Sequence, residues 1–122
     1  MSRAFTVVPL IGTTNSSGDK VVVAAREVNG FLHSVHEDKG TLADGVDMTL
    51  AVIRSEMVQT VLTLTDANTD NKIFIPRIDS CGVTGAALTK NDSMIPVVGT
   101  LQLTIAQGGD TRLGGLYAYI IE

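Results

Sequence analysis

The sequence predicts an all-β domain, an eight-stranded antiparallel β-sandwich, and three observations carry that prediction. Val, Ile and Thr are abundant while Ala, Glu and Lys do not dominate, which favours a pleated, half-buried backbone over helix. Gly, Asn, Asp and Ser recur at short intervals between apolar runs, the punctuation of tight turns. Within several runs apolar and polar residues alternate with the period of two that a strand with one buried face requires. Strand order stays open, with a jelly roll as one arrangement, because order depends on long-range pairing that periodicity does not encode.

The elements follow in chain order. FTVVPLI (5–11), KVVVAAREV (20–28), FLHSVHE (31–37) and DMTLAVI (47–53) read as the first four strands. QTVLTLT (59–65), KIFIP (72–76), VVGTLQLTI (97–105) and LYAYII (116–121) read as the last four. Leu101, Leu103 and Ile105 share one face opposite Gln102 and Thr104, and Met48, Leu50 and Val52 oppose Asp47 and Thr49, so both apolar sets belong to the core. Helical spacing also links Leu50, Ile53, Met57, Val58 and Val61, but β-branched residues on both sides of Arg54, Ser55 and Glu56 favour a hairpin turning there. In Val21–Val23 and in Tyr117–Ile121 both faces are apolar, which points to a second covering layer such as another subunit.

Residues 77–95 show no sustained period and read as a long loop. It carries Ile78, Val83, Leu88, Met94 and Ile95, which water penalises if they are exposed together, so this stretch is expected to dock on the domain or on a partner. Residues 1–5 form a second candidate for reaching a neighbour, an N-terminal arm ending in Phe5.

The 122 residues suit one domain over 1–122 with a single core, and 44% hydrophobic content is too high for a solvated linker. No run reaches the ~18–20 apolar residues of a membrane span, and the N-terminus lacks a long apolar signal region, so a soluble chain made in the cytoplasm is expected. Net charge is −4, with nine Lys and Arg scattered singly, which argues against nucleic acid or an anionic membrane as the partner. Aromatic residues make up 4%, too few for a stacking ladder on single-stranded nucleic acid or a typical sugar cleft. One cysteine, Cys81, forms no disulfide within the chain, so stability rests on packing or assembly.

Each motif that hints at chemistry has a simpler explanation. GTTNSSGDK (12–20) spaces Gly12 and Gly18 one residue too far apart for a phosphate loop and has Asp19 where Lys is needed, so it reads as a turn. Asp66, Asn68 and Asp70 begin like a calcium loop, yet Asn71 replaces the turn Gly and Arg77 stands where a bidentate Glu is required. That segment, and Asp38, Asp44 and Asp47, read as polar turns. His33 and His36, three apart on one strand, are expected on opposite faces and so unable to share a metal, with His33 half-buried beside Phe31 and Val35. Cys81, beside Asp79, Ser80 and Gly82, lacks a base and an oxyanion site and reads as a buried or interface thiol. Asn15 and Asn91 lie in Asn-x-Ser sequons, which matter only after secretion. No catalytic residue, cofactor or metal ligand is expected, and no small-molecule substrate.

ADGVDMTLAV (43–52), IFIPR (73–77) with the Gly- and Ala-containing stretch after it, IPVVGTLQLTIAQGG (95–109) and GLYAYI (115–120) together resemble a family of short all-β proteins of tailed bacteriophages associated with the head structural module. The likeness runs in order from about residue 20 to the end. It implies a capsid decoration or cement protein in the virion, on the capsid surface, that binds the major capsid protein, self-associates as a dimer or trimer, and performs no catalysis. The contacts are expected in the arm and the 77–95 stretch, at Phe5, Ile78, Leu88, Met94 and Ile95. Two other functions stand beside this one. A neck or tail connector would use similar architecture at fixed copy number, and a free-standing ligand-binding sandwich would use Tyr117, Tyr119 and the acidic turns, with calcium, to hold a carbohydrate. A hydrolase using Cys81 is the remaining enzyme reading.

Overall fold

A computed structural model describes residues 5–55, 57–67, 72–81, 85 and 87–122, the side chains of 79–81 and 87–92 excepted. Nine strands run through these residues: β1 (Phe5–Thr13), β2 (Lys20–Val23), β3 (Val28–Asp38), β4 (Val46–Ile53), β5 (Val58–Ala67), β6 (Ile73–Phe74), β7 (Arg77–Cys81), β8 (Ala87–Ala106) and β9 (Leu113–Ile121). All pairings are antiparallel. Sheet A has the order β1-β9-β3-β6, and sheet B has the order β2-β8-β4-β5. That is the strand order of a jelly roll, the two-sheet arrangement in which each sheet draws alternate strands from both ends of the chain.

The core lies between the sheets. From sheet A, Val8 and Leu10 of β1, Leu32 and Val35 of β3 and Leu116, Ala118 and Ile120 of β9 point inward. From sheet B come Met48, Leu50 and Val52, paired across the ladder with Ile105, Leu103 and Leu101. These two rows are the sets that alternation singled out, and all six side chains are buried. The expected hairpin between β4 and β5 is present, closed by the Arg54 amide donating to the Met57 carbonyl at 2.9 Å. The turn of 12–20 is present too: the Asn15 side chain accepts from the Ser17 and Asp19 amides at 2.9 and 3.0 Å.

Strand β8 belongs to both sheets. Ile95–Gly99 pairs with Val28–Leu32 of β3 in sheet A, and from Thr100 onward the strand pairs with β4 and β2 in sheet B. Gly99 is the switch point, with φ at +140°, a conformation that side-chain-bearing residues rarely adopt. Pro96 sits in the stretch bonded to β3 alone, where its missing N–H interrupts no second ladder.

Three expectations need correction. The predicted strand over 20–28 is β2 followed by a bend at 24–27, because the chain there crosses from sheet B to sheet A. The stretch 77–95 is not a loop: β7 and the first half of β8 pair as a two-stranded ribbon from Arg77↔Met94 to Cys81↔Ala87. Along this length the two strands pair only with each other among the described strands, so no sandwich ladder imposes the alternation by which strands are recognised. Phe5 is not part of an arm but the first residue of β1, paired with Ile121; residues 1–4 lie outside the described residues.

Candidate functional site

The described surface has two apolar regions, both built by the strands around β3. One is the outer face of sheet A. Along β1, β9 and β3 the inward residues alternate with Phe5, Val7, Tyr117, Tyr119, Ile121 and Phe31, and where β8 joins the sheet Val98 continues the series. Phe31 is 48% exposed and Val98 43%. The outer face of sheet B differs. Thr49, Thr63, Gln102 and Thr104 line its centre, and the exposed Val21 and Val23 lie on β2 at its edge. The outer face of sheet B is thus polar at its centre with exposed Val21, Val23 and Val58 toward its edges, while that of sheet A is lined by rings and aliphatic side chains.

A β-bulge shapes the apolar face. The register of β3 against β9 shifts between Leu32 and Ser34, so one extra residue, His33, enters the strand. Leu32 and Val35, three apart, consequently both point into the core, and the parity of everything after His33 is reversed. The two histidines therefore share the outer face, contrary to the expectation from simple alternation. His33 meets Phe5 edge-on with centroids 4.9 Å apart, His36 stacks on Tyr119 at 4.1 Å, and Phe5 approaches Tyr119 at 6.4 Å. This row of rings fixes the side chains of the face.

The second apolar region runs from β6 along the ribbon. Ile73 is 62% exposed and Ile75 59%, with Ile78 and Met94 also exposed further along. Arg77 ties the ribbon's root to the sandwich, its guanidinium donating to the carbonyls of His33 at 3.1 Å and Pro76 at 2.8 Å. Of the five residues expected to make partner contacts, Phe5, Ile78 and Met94 are exposed. Ile95 is not: it is 4% exposed and faces the core opposite Leu32. The side chain of Leu88 lies outside the described residues, as does that of Cys81.

The acidic groups are engaged in local structure. Asp44 pairs with the otherwise buried Lys39, and Asp47 accepts the Asp66 amide at 2.9 Å, while Asn68 and Asp70 lie outside the described residues. Among the described residues no group of three His, Cys, Asp or Glu is placed to hold a metal ion. An open cleft of about 340 Å³ between Glu37, Asp66, Lys72 and Phe74 lies beside β6. No described helix is long and apolar enough to cross a membrane.

At the opposite edge Glu122 closes the end of sheet A. The Thr6 hydroxyl donates to its carboxylate at 2.8 Å, the Asn29 amide at 3.2 Å and Arg26 at 3.3 Å. The Thr6 bond first, then the Asn29 amide, hold this carboxyl below the ordinary carboxylate range, with Arg26 adding to both. A depressed folded-state value means that the contribution is fully present above about pH 4.5 and is lost as pH falls through the lowered value. In Glu122→Gln that acid-dependent contribution disappears, so thermal scans of the two proteins from pH 6 down to pH 2 should converge at the acid end.

A scan against protein-family models finds no match to this chain, and a search of curated proteins finds no significant relative.

Proposed function

We propose that this protein is a capsid decoration protein of a tailed bacteriophage, seated on the outside of the major capsid lattice and holding neighbouring subunits together. The observation that carries this reading is an exposed apolar stretch leading into the ribbon: Ile73 on β6 and Ile75 just after it are followed by Ile78 and Met94 in the ribbon's first pairs, and all four side chains are exposed. Isolated exposed side chains need no explanation, but four large apolar ones grouped along 73–78 and the strand paired with it favour a partner. Full burial of each such side chain is worth about 1.5–3 kcal/mol, and repetition over a shell accumulates these modest contacts through avidity.

The mechanism is passive. Burial of the ribbon across a subunit boundary raises the free energy needed to part the subunits against internal DNA pressure, and the acidic surface keeps the protein from binding the DNA itself. The likeness of 43–52, 73–77, 95–109 and 115–120 to head-associated β proteins supports the same reading. Quantitative mass spectrometry of purified particles tests it. Hundreds of copies per particle are expected; about six or twelve would indicate a neck or tail ring, and absence from particles would overturn the structural role.

A further inference from the structure

We infer that the cleft at the end of the sandwich where β8 changes sheets is a binding site for a monocarboxylate with an apolar body, held by the Arg54 guanidinium. The site shares no residue with the ribbon, and it stands whether or not the protein coats a capsid. The cleft has a volume of about 600 Å³. It is lined by the 24–27 crossing, the turn after β4, Val98 and Gly99 of β8, and Glu122. Clefts of this size hold small organic ligands.

Arg54 is the group that calls for a ligand. Its Nε is buried, and among the described residues no acceptor is bonded to it. Nor is any described carboxylate ion-paired with this guanidinium. A buried donor on a charged group costs more to leave unpaired than a neutral one. The stem of Arg54 lies over Gly99, where a Cβ would stand 3.2 Å from Arg54 Cγ, so the missing side chain at the switch point is what gives the arginine its place. An oxyanion that accepts from two guanidinium nitrogens at once supplies the absent bonds in the planar geometry this group favours. Because Nε is covered as it lies, binding includes a turn of the guanidinium toward the cleft.

The rest of the lining selects the class of anion. Arg26, the other cation, is already paired with Glu122 at 3.3 Å and donates to the Glu27 carbonyl. Arg54 is left as the cation without a counter-charge among the described residues of the cleft. Glu27 and Glu122 line the same space, and their carboxylates oppose a second negative charge, which disfavours phosphate and polyanions and admits one carboxylate. Ile53 and Val98, the latter 43% exposed, give the body of the acid an apolar wall. A free organic acid and the end of a peptide chain present this same chemistry.

NMR titration of the isotope-labelled full chain tests the site, with phenylbutyrate as the probe and phenylbutyramide and inorganic phosphate as controls at matched ionic strength. Phenylbutyrate should give saturable shifts confined to residues 26–29, 53–55, 98–99 and 122. A Kd on the order of 1 mM is expected for a ligand of this size. The amide and phosphate should each bind at least about 10-fold more weakly, and Arg54→Gln should lose on the order of 10-fold in affinity for phenylbutyrate. Arg112→Gln, in the loop before β9, should bind as the wild type does. Circular dichroism checks that the variants fold, and if Arg54→Gln does not, the wild-type shift map and the two controls decide. Acetyl-leucyl-valine separates the two sources of the acid: tighter binding than phenylbutyrate assigns the site to a chain end, and weaker binding to a free acid. Shifts elsewhere, no saturation, equal binding of the amide or of phosphate, or a folded Arg54→Gln that binds like the wild type would each overturn the site.

Discussion

Leu103→Ala is expected to lower the unfolding free energy by about 3–4 kcal/mol. Leu103 has no exposed surface and sits mid-strand in β8, flanked by Leu50 of β4 on one side and Val22 of β2 on the other. Both neighbours are held in ladders, so neither can move in to fill the space, and the transfer loss is joined by the cost of the cavity. In a domain of this size the change amounts to a fall in Tm of roughly 12–15 °C. The next residue gives the control. Thr104 points to the outer face between Val21 and Thr49, and Thr104→Ala should stay within about 0.5 kcal/mol of the wild type. Differential scanning calorimetry of the two variants measures both effects.

Gly99→Val is expected to cost at least about 3 kcal/mol, through backbone geometry and not through lost contacts. At Gly99 β8 leaves β3 and joins β4, and the turn is made with φ at +140°. A Cβ there would meet the Ile53 carbonyl oxygen at 2.5 Å and Val52 Cγ1 at 3.2 Å. Ile53 is fixed by its own pairing with Val58 and Thr100, so the clash can be relieved only by displacing the strand that joins the sheets. Gly85 separates strain from collision: its φ is +85° but a Cβ there meets nothing within 4 Å. Gly85→Ala should therefore cost only about 1 kcal/mol. If the two substitutions prove equally mild in urea titrations, β8 does not make its switch between sheets at Gly99.

The legible part of this fold is the part whose strands have one wet face. In β4 and the second half of β8, Met48, Leu50, Val52, Leu101, Leu103 and Ile105 alternate with polar residues, and their burial followed directly from that pattern. The hairpin at 54–57 was legible as well, because β-branched residues flank it on both sides. The doubly apolar run at 117–121 correctly indicated a strand whose outer face is not polar.

Other features had no local signal. Alternation assumes one residue per step, and the bulge at His33 breaks that assumption, so alternation alone puts His36 on the opposite side from His33. The 77–95 ribbon pairs away from the core, so its residues answer to no period, and Ile95 looked like a loop residue although it lies opposite Leu32 inside the sandwich. The crossing at 24–27 reads as strand in the sequence because it follows directly on an apolar run, and only the partners on either side show the change of sheet. Of the surface, Ile78 and Met94 stand out in the sequence only as apolar residues in a stretch without period, while Ile73 and Ile75 look like ordinary strand residues.

If the ribbon and the stretch leading into it bind and reinforce the shell, as proposed, the temperature at which heads release their DNA must depend on them. Heads lacking the protein are incubated with purified wild type or with Ile73→Asp/Ile78→Asp, which changes two exposed positions and leaves the core intact. The wild type should raise the release temperature by several degrees, and the ribbon variant, folded to the same degree, should leave it where it was. A wild type that does not shift the release temperature, or a ribbon variant that shifts it equally, would overturn the proposed role of the ribbon.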